Sequence, residues 1–266
     1  MTAAPVCLFA GLYSVALAVL FTHHHRADAS RTLEYSIMFV GLAIMTRAAT
    51  PNDPVTPKRG KRFALQLTAI SLSIFVTVVL HAYLDGRGGP LWARVASKYG
   101  VWQFAIEACV TFAVLRLCKL SAADLLVRTW AHRSRIAAVW ILTAIGFLTY
   151  DVATGAIGAG EAIREVSRNV FANGASEEFL FRGALLSRIR LTIGDRWALL
   201  VQALVFGIWH FPTDLRVANG DVLVASCLVV TVQAVFGYAL GYLAPRTNTI
   251  AIGAAFHAVA DATSII

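Results

Sequence analysis

Nine apolar runs follow one another along these 266 residues, at about 6–22, 33–49, 63–84, 100–117, 136–157, 170–186, 197–211, 222–243 and 249–266. Most approach the roughly twenty residues that carry an α-helix across a hydrocarbon layer. This pattern leaves few options, because in lipid each backbone N–H and C=O must be satisfied within its own helix or a closed barrel. The expected fold is all-α, a polytopic transmembrane bundle of about eight or nine helices. A soluble enzyme of this length needs roughly a quarter of its residues charged. Here 14% are charged and 58% are hydrophobic, which excludes that class.

The links refine the picture. The net charge of +8 sits on short segments between apolar runs. No basic domain interleaved with aromatics occurs, so anionic lipid is the expected partner and nucleic acid is not. The links after the even-numbered runs hold the excess of Lys and Arg, which predicts a cytoplasmic N-terminus in the cell membrane. The first run has no basic segment before it and no small-residue cleavage site after it, so it reads as a retained helix. His23, His24 and His25 are adjacent rather than convergent and read as a solvated link. The prolines between 50 and 62 break helix, and 85–90 is a turn before Trp92. Residues 119–135 read as a basic amphipathic helix lying on the membrane surface, and 161–169 as a short polar helix. Cys7, Cys109, Cys118 and Cys227 form no C-x-x-C pair and read as buried small hydrophobes. The expected organisation is one integral membrane domain, with helices and basic links over 1–135 and the core helices over 136–266.

Ionisable groups inside apolar runs cost roughly 2.5 kcal/mol or more each at bilayer depth, and they persist where they find a partner and have work to do. Glu178 and Arg182 are four apart and can pair on one helix face, which leaves Glu177 free to face a cavity. His210 closes Phe206-x-x-x-His210, and Pro212 stops or kinks the helix just beyond it. His257 and Asp261 are again four apart in the last run. Three apolar helices thus each bring polar groups inward, the pattern of a functional centre. Glu107, alone in its run, reads as an interfacial or locally paired carboxylate with no catalytic role.

Taken together, Glu177-Glu178-x-x-x-Arg182, Phe206-x-x-x-His210 and His257-x-x-x-Asp261 resemble the motifs of the CAAX-protease and bacteriocin-processing (CPBP, also called Abi) family of intramembrane endopeptidases. The run 236–242, followed by 247–250, resembles that family's segment between its second and third motifs, so the likeness covers about 170–264. The resemblance implies a conical intramembrane cavity in which a peptide bond of a membrane-associated or lipidated substrate is hydrolysed. It implies that Glu177 and His210 activate water, that Glu178, Arg182 and Phe206 support them, and that His257 with Asp261 stabilises the oxyanion. Asp261 stands where the family commonly has Asn; it serves either as a protonated donor, or to orient His257 or support a cation. The family has been described both as zinc-dependent, for which Glu177, His210 and His257 form the available set, and as metal-independent glutamate proteases. The expectation here is glutamate chemistry. Two other classes share these features: a proton- or cation-coupled transporter, against which the lack of an inverted repeat counts, and a non-catalytic immunity or scaffold protein of the same fold.

Overall fold

In the computed structural model, residues 3–22, 26–50, 62–87, 103–128 and 133–263 are described. Every regular element among them is helical. In chain order the helices are α1 (Ala4–Thr22), α2 (Arg26–Ala49), α3 (Phe63–Arg87), α4 (Thr111–Leu117), α5 (Ser134–Thr154), α6 (Ala159–Asn169), α7 (Ser187–Trp209), α8 (Phe211–Val217), α9 (Val222–Leu228), α10 (Ala234–Thr247) and α11 (Ala251–Ala260). Four further segments, Phe104–Val110, Val170–Ala175, Glu178–Leu186 and Val229–Gln233, have π-helical hydrogen bonding and adjoin α-helices. A π turn carries about one residue more than an α turn, and such turns recur at functional sites. Each of the four here places a polar side chain among apolar neighbours: Glu107, Asn173, Glu178 with Arg182, and Gln233.

Four helical stretches are long and apolar enough to cross a membrane: Ala4–Thr22, Ser134–Thr154, Ala159–Trp209 and Val222–Thr247. Val15, Ile37, Ile44, Leu72, Phe75 and Leu142 are all more than half exposed. Apolar exposure on that scale is costly in water and natural against lipid tails. The chain is an integral membrane protein with a polytopic helical fold.

Two compact units are formed. One comprises Met1–Pro51 with Ile189–Leu243. In it α1 and α2 are joined by a 2.8 Å hydrogen bond from the Tyr13 hydroxyl to Ser36 Oγ. Ala16, Leu20 and Ala29 pack there against Val224, Ala225 and Leu228 of α9. Gly194, with φ 76° and ψ 165°, breaks α7 and separates the sixth and seventh apolar runs, and Arg190 clamps the break through both oxygens of Asp195 at 2.7 and 3.1 Å. As Pro212 predicted, the helix ends at Trp209, and α8 restarts with the proline in its first turn.

The other unit comprises Asn52–Arg188 with Ala244–Ile266. Its axis is α11, which packs on Val170–Ala175, α5 and α6 and buries Ile252, Phe256, His257 and Ala260. Trp140 of α5 meets Phe256 edge-on, with centroids 5.1 Å apart.

Two expectations are corrected. The surface helix over 119–135 does not form among the described residues, where 119–128 hold a single 3₁₀ turn, Ala123–Leu125. Leu125 is fully buried, the Leu126 carbonyl accepts from Ile250 N at 3.0 Å, and Arg188 donates to the Asp124 carbonyl at 3.2 Å. Inward hydrogen bonds thus outweigh the surface pattern of the segment. Cys7 and Cys109 are exposed, whereas Cys118 and Cys227 are buried as expected. The histidine link 23–25, the prolines of 51–61, the turn beyond residue 87, Trp92 and Trp130 lie outside the described residues.

Candidate functional site

In the unit built around α11, five of the residues singled out from sequence come together. Glu178 and Arg182 lie on the π-helical segment Glu178–Leu186, and their ion pair is 2.9 Å long with both side chains fully buried. The same Glu178 Oε1 lies 3.0 Å from His257 Nδ1. Across the ring, His257 Nε2 is 3.4 Å from Asp261 Oδ2 and 3.9 Å from Glu177 Oε2. Both ring nitrogens therefore face carboxylate oxygens, the hydrogen-bonding pattern of a ring with two N–H donors. Asn173, not singled out beforehand, donates from its amide to Asp261 Oδ2. Asp261 is thus an acceptor on both sides, which suits an orienting carboxylate better than a protonated donor.

Close helix approach makes this arrangement possible. A Cβ on Gly253 would come 2.7 Å from Glu178 Oε2, so that carboxylate rests against the bare backbone of α11. A Cβ on Gly174 would meet the Ala254 carbonyl at 2.5 Å. Beside Asp261 opens a cavity of about 270 Å³, lined also by Asp151, Glu161, Glu165 and Thr263.

Glu107 departs from its sequence reading. It is fully buried in the π-helical segment Phe104–Val110, which packs on Val170–Ala175 and Glu178–Leu186. Glu177 lies within electrostatic reach, and the neighbouring Ser176 hydroxyl spends its proton on the Ala172 carbonyl. Neither oxygen of Glu107 makes a hydrogen bond. A lone carboxylate in an apolar run was the only signal of this in the sequence.

His210 and Phe206 belong to the other unit. His210 Nδ1 is 2.9 Å from the Phe206 carbonyl, and the two rings lie 4.6 Å apart. Phe206 is fully buried against Phe236 at 6.0 Å, so it fixes the imidazole from behind. One turn on, Asp214 is 4% exposed and accepts from Gln233 Nε2 at 3.2 Å. Burial raises the Asp214 carboxyl to about 6, while Gln233 and His210 act in the opposite direction. Asp214 went unremarked from sequence because it follows Pro212 in what reads as a link.

Among the described residues, no three His, Cys, Asp or Glu side chains are arranged to hold a metal ion. In the candidate zinc set of Glu177, His210 and His257, both ring nitrogens of His257 already face carboxylates.

Residues 160–263 match the model of a family described as type II CAAX prenyl endopeptidase Rce1-like. Searches of curated proteins and of solved structures each return no match.

Proposed function

We propose that this protein, whose residues 160–263 match the model of the type II CAAX prenyl endopeptidase Rce1-like family, is an intramembrane endopeptidase acting on a membrane-associated or lipidated peptide. The observation that carries the reading is the buried His257, bracketed by Glu178, Asp261 and Glu177 at 3.0, 3.4 and 3.9 Å. Structural ion pairs explain Glu178 with Arg182. They do not explain three more ionisable groups, Glu177, His257 and Asp261, held together beside them at such desolvation cost.

In this reading Glu177 takes a proton from water as the hydroxyl adds to the scissile carbonyl, and then delivers that proton to the leaving amine. His257 Nε2, which faces Asp261 at 3.4 Å and Glu177 at 3.9 Å, is the donor that turns to the developing oxyanion. Glu178, tied to Arg182, holds Nδ1, and Asp261, tied to Asn173, orients the ring. The family resemblance gives His210 a share of the proton work, with Phe206 as its support. No bound metal enters these steps. The proposal includes a cell-membrane location with a cytoplasmic N-terminus, which the Lys and Arg asymmetry of the links supports.

The test is cleavage of membrane peptides in liposomes, with and without a prenylated cysteine near the C-terminus, by wild type and Glu177→Gln. Wild type is expected to cleave and the variant to lose at least 100-fold in kcat. Equal cleavage by both, or none by wild type, rejects the reading.

A further inference from the structure

The His257 cluster lies between two unlike ends of the α11 unit. At one end, several stretches of chain meet. Arg62, just before α3, donates to the Leu117 carbonyl at the end of α4, 3.5 Å away. Arg188 reaches the Asp124 carbonyl, Gly183 lies against the Leu125 carbonyl, and Ile250 N, just before α11, donates to the Leu126 carbonyl. Thr249 Oγ1 donates to the Arg128 carbonyl a few residues before α5 begins. Basic residues crowd these stretches, among them Arg62, Arg116, Lys119, Arg128 and Arg188, while Asp124 is the one acid there among the described residues. Leu125, Phe181, Ile252 and Phe256 are buried and close this end.

The other end is acidic and holds the cavity. Both α5 and α11 start at the basic end and run side by side, with Trp140 on Phe256, so Asp151 and Asp261 finish at the far end. There both line the cavity of about 270 Å³, together with Glu161 and Glu165 of α6. Arg164 and Arg168 pair with these two glutamates at 2.8 to 3.7 Å, so this end carries no basic excess. Exposure falls from the cavity inwards: the Asp261 side chain is 13% exposed, whereas His257, one turn deeper, and Glu177 are at 2% and 3%. Basic loops mark the cytoplasmic side of a polytopic protein. We propose that the His257 cluster is reached from the opposite, non-cytoplasmic face, through the cavity bounded by α5, α6 and the end of α11, and that water and peptide enter there. The face assigned to the cavity stands without the protease reading; the entry of a peptide rests on it.

The test has two arms. Glu161→Cys and Thr263→Cys report on the cavity and Lys119→Cys on the basic end, and none of the three positions belongs to the His257 cluster. Intact cells expressing each variant are treated with a membrane-impermeant maleimide. Labelling is read above that of the native cysteines and normalised to the rate in permeabilised cells. Glu161→Cys and Thr263→Cys are expected to label about tenfold faster than Lys119→Cys, or more, since thiol reactivity follows access. Equal rates, or faster labelling of Lys119→Cys, overturn the proposal whether or not the protein cleaves peptides. In the second arm, Thr263→Cys carrying a bulky maleimide is expected to cleave membrane peptides in detergent about tenfold more slowly than before labelling, while labelled Lys119→Cys keeps its rate. An unchanged rate for labelled Thr263→Cys also overturns it. If wild type cleaves nothing, the protease reading fails and the labelling of Glu161→Cys against Lys119→Cys decides the face.

Discussion

Replacing Gly174 by Ala isolates the helix contact on which the His257 cluster depends. The added Cβ would lie 2.5 Å from the Ala254 carbonyl oxygen, 3.1 Å from Ala258 Cβ and 3.2 Å from the Asn169 carbonyl. Carbon and carbonyl oxygen rest at roughly 3.3 Å or beyond, so the first contact is short by about 0.8 Å. Both carbonyls are backbone and neither can swing away, so the π-helical segment Val170–Ala175 and α11 must separate by about that amount. Overpacking of this kind costs about 1–3 kcal/mol of stability. The catalytic cost is expected to be larger in proportion, because Glu177 follows Gly174 by three residues and His257 follows Ala254 by three. A displacement near 1 Å at reacting groups costs about 100-fold in rate, or about 2.7 kcal/mol of barrier. Thermal unfolding in detergent and initial cleavage rates in liposomes measure the two effects on one preparation. Gly146→Ala is the control, since nothing lies within 4 Å of its added Cβ. It should leave the rate unchanged and raise stability by up to about 1 kcal/mol. If Gly174→Ala has wild-type activity and Tm, the contact does not set the site's geometry and the reasoning fails.

Arg182→Met is expected to destabilise by about 3–5 kcal/mol in denaturant titrations, because it leaves the fully buried Glu178 with His257 alone to balance its charge. Glu107→Gln replaces a buried carboxylate lacking hydrogen bonds with a neutral isostere; a gain of about 1–3 kcal/mol is expected, and a lower Tm would count against this account of Glu107. Asp214 is raised from 3.8 to about 6 by burial, so the folded state binds its proton more tightly than the unfolded chain does. Stability contributed by this group therefore increases as pH falls from about 6 towards 4, by up to about 3 kcal/mol, and Asp214→Asn should flatten that part of a Tm-against-pH curve.

The class of fold was legible because solvent acts on composition directly: a chain this apolar has only lipid to face, and the turn signal at Pro212 falls just past the helix end at Trp209. The pairing of Glu178 with Arg182 and of His257 with Asp261 was legible from spacing alone, since residues four apart meet on any helical turn. The bridge from His257 to Glu178 was not, because it joins residues 79 apart and depends on the bare backbone of Gly253. Asn173, Asp214 and Gln233 escaped for the same reason, their partners lying on other turns or segments. Residues 119–128 misled because an amphipathic pattern fits a helix on a membrane as well as a loop tucked beneath Gly183, whose added Cβ would lie 2.7 Å from the Leu125 carbonyl. The π-helical turns escaped because hydrophobic periodicity is read against 3.6 residues per turn.

Those turns also make residue count matter more than residue identity along 170–186. Each residue advances a helix by about 100°, so deleting one from Val170–Ala175 would rewind that turn and swing Glu177 and Glu178 around the axis together. Conservative exchanges there keep the two carboxylates on the His257 side, whereas a one-codon deletion among Val170, Phe171 and Ala172 would turn them towards another face without altering any acidic residue.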